Sequence, residues 1–268
     1  MTEARDSLVM RVISALVLAP VVIAAVYSGG LSFLALVLLA VGLMAWEWSR
    51  LVLGVFDLRG VVFVASALAA VLLFAVGWMA SAAVPLVIGL GHGFLVVRAE
   101  QPGVRSWLLG GLVYLTAAGA ALLWLRHRPD DGLVLAGWLI AVVWATDIGA
   151  YVSGRIIGGP RLAPAVSPKK TWAGLAGGML LAFAVGWISP AVAPMMGATD
   201  WMLALASAGV AAVAQGGDLL ASLLKRSFGA KDASRLIPGH GGVLDRADGL
   251  LSAAVCVGVV LAIRELVL

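Results

Sequence analysis

Apolar positions in this chain come in long continuous runs, not in alternation, and short polar segments separate them. The runs cover approximately 11–28, 31–49, 61–79, 82–97, 107–125, 133–152, 172–194, 201–224 and 247–266. Each is close to the roughly 20 residues that a helix needs to cross the hydrocarbon core of a bilayer. A backbone facing lipid must satisfy its own hydrogen bonds, so such runs predict helices. The expected fold is therefore all-α: a polytopic integral membrane protein of about nine transmembrane helices. The fourth run, "AVPLVIGLGHGFLVV", is the weakest, because it is short, rich in Gly and contains His92.

Composition agrees. The chain has 268 residues, of which 62% are hydrophobic and 12% charged. A soluble domain carries roughly 25% charged residues. The mean hydropathy is +1.07. The spans leave only short loops, which implies a single transmembrane domain over 1–268. Within it, 1–130 holds less specific N-terminal helices. The region 140–252 carries two polar loops, 153–171 and 225–246. Arg5 and Arg11 before the apolar run from Val12 to Tyr27 resemble a signal peptide. No clear small-x-small cleavage site follows, and eight more apolar runs do, so it reads as an uncleaved first span.

Charge sets the orientation. With nine spans, the N-terminus and alternate loops hold 15 of the 18 Lys and Arg residues, and the other side holds Arg126, Arg128 and Arg264. The positive-inside rule places the N-terminus and both polar loops in the cytoplasm. The net charge of +4 is then explained by cytoplasmic loops and anionic headgroups. No basic stripe with interleaved aromatics suggests nucleic acid. Cys256 lies inside the last apolar run and has no partner for an intrachain disulfide. Trp46, Trp48, Trp107, Trp124, Trp172 and Trp201 lie at span ends, as in an interfacial aromatic belt.

Candidate chemistry lies in and beside the two loops. Asp218 sits about seven residues inside the eighth span, roughly 10 Å from its cytoplasmic end. A carboxylate there is costly unless paired, hydrated or bound to metal. Asp218, Ser222 and Lys225 share one helix face, with an Asp218–Lys225 ion pair as the structural alternative. Gly216 and Gly217 would admit another backbone or a ligand. Asp147, Tyr151 and Arg155 also share a face, with an Asp–Arg pair as the structural alternative. Glu47, between two tryptophans and near Arg50, reads mainly as an interfacial residue.

The second loop gathers Lys225, Arg226, Lys231, Arg235 and Arg246 with Asp232, Asp245, Asp248 and His240. Its "PGHGG" turn could present backbone N–H groups. Asp245 and Asp248 fall at the start of the ninth helix, where the dipole favours carboxylates. Mg²⁺ takes one or two carboxylates together with phosphate oxygens and waters, and Arg and Lys bind phosphates. His240 without a second His or Cys is a poor zinc site. "SPKK", Ser167–Lys170, is a further cluster that suits phosphate or anchors the helix end.

Ser222, Lys225, Arg226, Lys231, Asp232, Ser234, Pro238, His240, Gly241, Gly242, Asp245, Arg246 and Asp248 resemble the signature of phosphatidate cytidylyltransferases, the CDP-diacylglycerol synthases. "TDIGAYVSGR" and "SPKKTWAG" resemble that family too, so the likeness covers about Trp144 to Ser252. Ala247 departs from it, since the family usually has a bulkier residue there. The resemblance implies transfer of a cytidylyl group from CTP to phosphatidate, with Mg²⁺ and room for a second cation such as K⁺. It implies Asp218 and Asp245 as metal ligands, and Lys225, Arg226, Arg246 and Asp248 as further catalytic residues. Asp147, Tyr151, Ser167, Lys169, Lys170, Ser222, Lys231 and His240 would line the substrate pocket. It implies a bacterial inner-membrane enzyme whose site faces the cytoplasm, with a homodimer left open. The alternatives are a transporter of a phosphorylated or anionic solute, a CDP-alcohol phosphotransferase and a non-catalytic membrane protein. A reporter fused after Gly229 is expected to read cytoplasmic, and a periplasmic signal would overturn the topology.

Overall fold

A computed structural model describes residues 2–77, 79–96, 102–196 and 198–267. Arg98, one of the cytoplasmic cations counted above, lies outside them. The side chains of Arg5 and Arg11 are not described either. Among the described residues there are nine α-helices: α1 Thr2–Ser28, α2 Gly30–Leu53, α3 Leu58–Ala75, α4 Met79–Val96, α5 Pro102–Arg126, α6 Gly132–Ile156, α7 Trp172–Trp187, α8 Asp200–Ser227 and α9 Leu244–Val267. Six are long and apolar enough to cross a membrane: α2, α3, α5, α6, α8 and α9. The other three hold shorter apolar stretches, Leu16–Ser28, Ser81–Leu95 and Trp172–Trp187. The all-α membrane architecture is as expected. The nine expected runs correspond to nine helices among the described residues, and three of these hold apolar stretches shorter than the expected spans.

The seventh run shows why. Its apolar pattern continues to 194, but α7 stops at Trp187. Pro190 and Pro194 lack an N–H for the helix ladder, and Pro190 biases Ser189 away from helical geometry. The chain continues instead through turns, Ser189 N–H to Gly186 O at 3.3 Å and Val192 N–H to Ser189 O at 3.0 Å. A helix of 16 residues is about 24 Å long, short of the roughly 30 Å hydrocarbon core. The polar loop after α6 also holds structure that apolar patterning cannot reveal. Its strands β1 (Arg161–Ala163) and β2 (Ser167–Thr171) pair antiparallel as a small hairpin.

The chain forms two compact units, 1–123 with 224–247, and 124–223 with 248–268. In the first, α2 packs on α1 and α3, and α3 packs on α4. Trp48 sits in its core, 2% exposed. It donates Nε1–H to Trp107 O at 2.8 Å and lies tilted against the rings of Trp107 and Tyr114. Its assignment to the interfacial belt is therefore corrected, because its indole fills a slot above Gly111 that no Cβ could share. Trp172 and Trp201 are half exposed, as belt residues are. The side chain of Asp57 caps α3 by accepting from Arg59 N–H at 3.0 Å. The Arg59 guanidinium, hydrogen-bonded to Asp57, holds that carboxyl below the usual carboxylate range.

In the second unit, α6 packs tightly along α7. Small residues make this possible. A Cβ on Gly149 would stand 2.5 Å from Gly177 O, and one on Gly178 would stand 2.8 Å from Thr146 O. Helices in lipid lack a hydrophobic drive to associate, so close backbone approach supplies the dispersion contacts instead. Many apolar side chains on the outer faces of this unit stay exposed, among them Ile148, Leu180 and Ile188, which suits contact with lipid. Leu at position 149 or 178 is expected to separate α6 from α7 and to lower the thermal midpoint by several degrees. Leu at 137, where a Cβ meets nothing within 4 Å, serves as the control. Equal melting of Gly149→Leu and Gly137→Leu would refute the packing argument.

Candidate active site

The acids of the two polar regions are paired, but not as spacing alone suggests. In the first unit Lys225, in the last turn of α8, donates to Asp245 Oδ1 at 2.5 Å. Asp245 Oδ2 accepts Ala233 N–H at 2.8 Å and Gly242 N–H at 2.9 Å. The carboxylate is only 6% exposed. In the second unit Asp218 pairs with Lys170 at 2.7 Å, and Lys170 also donates to Gln215 O at 3.2 Å. In place of the alternative Asp218–Lys225 pair there are two pairs that each join distant parts of the chain. Lys225 lies about two helical turns, roughly 10 Å of rise, beyond Asp218 on the same face, and each reaches a different partner. Ser222 does keep the predicted relation, with its hydroxyl 3.4 Å from Asp218 Oδ1.

A residue that patterning undervalued organises the first unit's loop. Glu47 of α2 is fully buried. Its Oε1 accepts Ser234 Oγ–H at 2.6 Å and Val243 N–H at 2.9 Å, and Oε2 accepts Leu244 N–H at 2.7 Å. The carboxylate therefore caps the N-terminus of α9, where unsatisfied N–H groups and the helix dipole attract an anion. Its placement in a membrane interface beside Arg50 is corrected accordingly. Gly242 allows this approach, because a Cβ there would stand 2.5 Å from Glu47 Oε1. A single acid near the end of the apolar run, in "LMAWEWS", was the available signal, and the tryptophans pointed it toward an interface.

The "PGHGG" turn closes on itself. Ile237 and Gly241 exchange backbone hydrogen bonds of 2.8 and 3.1 Å, and His240 N–H donates to Ile237 O at 2.9 Å. Gly239 and Gly241 have φ of 74° and 88°, in the region that favours glycine. Ser14 Oγ–H of α1 donates to Pro238 O at 2.9 Å. The N–H groups of Gly242, Val243 and Leu244, which could have faced an anionic ligand, are taken up by Asp245 and Glu47. Nδ1 of His240 is buried and has no hydrogen-bond partner among the described residues.

The remaining cations are available. Lys231, Arg226, Arg246 and Lys169 are exposed. The Arg226 guanidinium donates only to Ala230 O, at 3.2 Å. In the second unit, Arg155 donates to Tyr151 OH at 2.6 Å, and both they and Asp147 are exposed at the end of α6. Ser167 begins β2, and Thr171, which follows Lys170, caps α7 by accepting Gly174 N–H at 3.0 Å. Gly217 backs onto α9, where a Cβ would stand 2.6 Å from Asp248 O, whereas Gly216 faces open space. Asp248 Oδ1 accepts Gly249 N–H at 2.8 Å.

Among the described residues no three His, Cys, Asp or Glu side chains converge as a ready-made cation cage. The donor chemistry still fits Mg²⁺, which uses few protein carboxylates. Asp218 is about one-third exposed, with 34% of its side chain accessible. At Asp245 a cationic group, the Lys225 ammonium, already sits on Oδ1.

The sequence model described as the cytidylyltransferase family matches residues 9–264. The chain belongs to that family. Its similar relatives include proteins named phosphatidate cytidylyltransferase. The one from Brucella suis is 37% identical over 260 residues, covering 93% of this chain and 91% of the relative. That from Pseudomonas aeruginosa is 38% identical, covering 91% of this chain and 93% of the relative. That from Haemophilus influenzae is 33% identical over 286 residues, covering 91% and 94%. Within this cytidylyltransferase, the Glu47 clamp makes a direct prediction. Glu47→Ala leaves three donors unpaired, each worth roughly 1 kcal/mol or more. Amide exchange across residues 233–244 is expected to accelerate at least tenfold, read by mass spectrometry. Unchanged protection would show that the clamp is dispensable.

Proposed function

We propose that this protein transfers the cytidylyl group of CTP to phosphatidate, giving CDP-diacylglycerol and pyrophosphate, at the cytoplasmic face of a bacterial inner membrane. The observation that carries the reading is the family membership, with relatives named for this activity along most of their length. The paired acids and available cations of the two polar regions support it, because the reaction brings one phosphate anion against another. Read with nine spans, 15 of the 18 Lys and Arg residues fall on the side of the N-terminus and both polar loops, which supports the cytoplasmic face.

In the proposed reaction a phosphatidate oxygen attacks the α-phosphorus of CTP in line. A P–O bond forms there as the bond from the α-phosphorus to the β-phosphate oxygen breaks, and pyrophosphate leaves with that electron pair. The attacking phosphate is already anionic near neutral pH, so the step needs no strong base. The work of the protein is then positioning and charge neutralisation. Lys225, Arg226, Lys231 and Arg246 are the proposed phosphate partners. Asp147, Tyr151, Ser167, Lys169, Lys170, Ser222 and His240 shape the substrate pocket. Asp218 and Asp245 are each proposed Mg²⁺ ligands, Asp245 through the oxygen that Lys225 now neutralises. Bound Mg²⁺ would neutralise nucleotide phosphate charge. The acyl chains remain in the bilayer and reach the site laterally.

Purified protein given labelled CTP and phosphatidate is expected to release pyrophosphate only with Mg²⁺, which also separates an enzyme from a transporter. Asp218→Asn is expected to lower turnover by about 100-fold or more while the protein inserts and elutes normally. Near wild-type turnover in that variant would refute the role given to Asp218.

A further inference from the structure

The first unit carries a cleft of about 740 Å³ at the end of α2. That volume is within the roughly 300–1,000 Å³ of small-molecule sites. Arg50 lines it from α2, and Phe228, Lys231, Asp232, Ser234 and Arg235 line it from the loop after α8. Three of these are cations and one is an acid. None of the three cations pairs with a carboxylate among the described residues. Arg50 and Arg235 lie outside the residues that carry the family resemblance.

The wall bearing these cations is fixed from behind. Asp245 holds the Ala233 amide, Glu47 holds the Ser234 hydroxyl, and Ser234 Oγ accepts Leu236 N–H at 3.1 Å. Across the cleft, α2 ends in a left-handed Gly54 whose N–H returns to Arg50 O at 2.9 Å, and Arg50 lies 5.3 Å from the centroid of the Trp46 ring. These hydrogen bonds hold the backbone on both sides, while the three cations it presents have no carboxylate partner among the described residues. Like charges gathered on a preorganised wall favour a polyanion with several phosphate oxygens, which forked guanidinium groups grip best.

We propose that Arg50 and Arg235, with Lys231, form a subsite for a phosphoanhydride: the terminal phosphates of the nucleotide and the pyrophosphate that leaves. The inference rests on the reaction proposed above and adds two residues to it. Phosphate oxygens also occur on anionic lipid headgroups, so the test separates the two sources.

The full-length protein in phosphatidylcholine nanodiscs is dialysed to equilibrium against radiolabelled inorganic pyrophosphate without CTP. Arg50→Gln/Arg235→Gln is expected to weaken binding at least tenfold, and Arg50→Lys/Arg235→Lys by a smaller factor. In turnover the Gln pair should raise the CTP KM about tenfold, with the phosphatidate KM within twofold. Unchanged pyrophosphate binding in the Gln pair overturns the subsite. So does a loss confined to phosphatidate KM or to binding of phosphatidylglycerol-containing nanodiscs, which assigns the arginines to lipid. If the wild type binds pyrophosphate through these arginines but transfers no cytidylyl group, the proposed reaction fails and the subsite stands.

Discussion

A buried carboxylate governs the architecture of the first unit's loop. An isolated charge out of water costs several kcal/mol. Glu47 is tolerated at full burial because Ser234, Val243 and Leu244 together give it three donors. That need works in both directions. The carboxylate requires the donors, and the amides at the start of α9 require an acceptor. Satisfying both draws the loop onto α2. Asp245 repeats the device nearby, taking one ammonium and two amides. These two acids give an otherwise irregular segment fixed positions for its outward-facing cations.

The second unit uses charge differently. Lys170 and Asp218 neutralise each other, but Asp218 remains about one-third exposed. Such a pair avoids an uncompensated charge within an apolar helix and leaves a carboxylate that a ligand can still reach. The close contact between α6 and α7 provides the rigid support, since glycine lets the backbones touch and leaves little room for sliding. The proposed reaction between two anions would call for such support, because preplaced cations cost no reorganisation when substrates meet.

Much of the fold was legible along the chain. Continuous apolar runs can only be helices in lipid, so nine runs became nine helices among the described residues. Where the reading differed, a local cause is visible. Pro190 shortened the seventh run, and the hairpin at 161–171 is held by backbone pairing that its polar residues do not advertise. Trp48 looked interfacial because a tryptophan's sequence position does not say whether a Gly such as Gly111 stands opposite to receive it.

The residue types of the site were equally legible: acids inside apolar helices and cations in the loops between them. The sequence by itself determined that these charges exist, where they fall along the chain and which family they signify. Only the tertiary structure decided who neutralises whom. Lys225 meets Asp245 across 20 residues, Lys170 meets Asp218 across 48, and Glu47 meets Leu244 across 197. Helix periodicity relates neighbours within two turns, whereas a buried charge is matched by whatever donor the packed chain brings within about 3 Å.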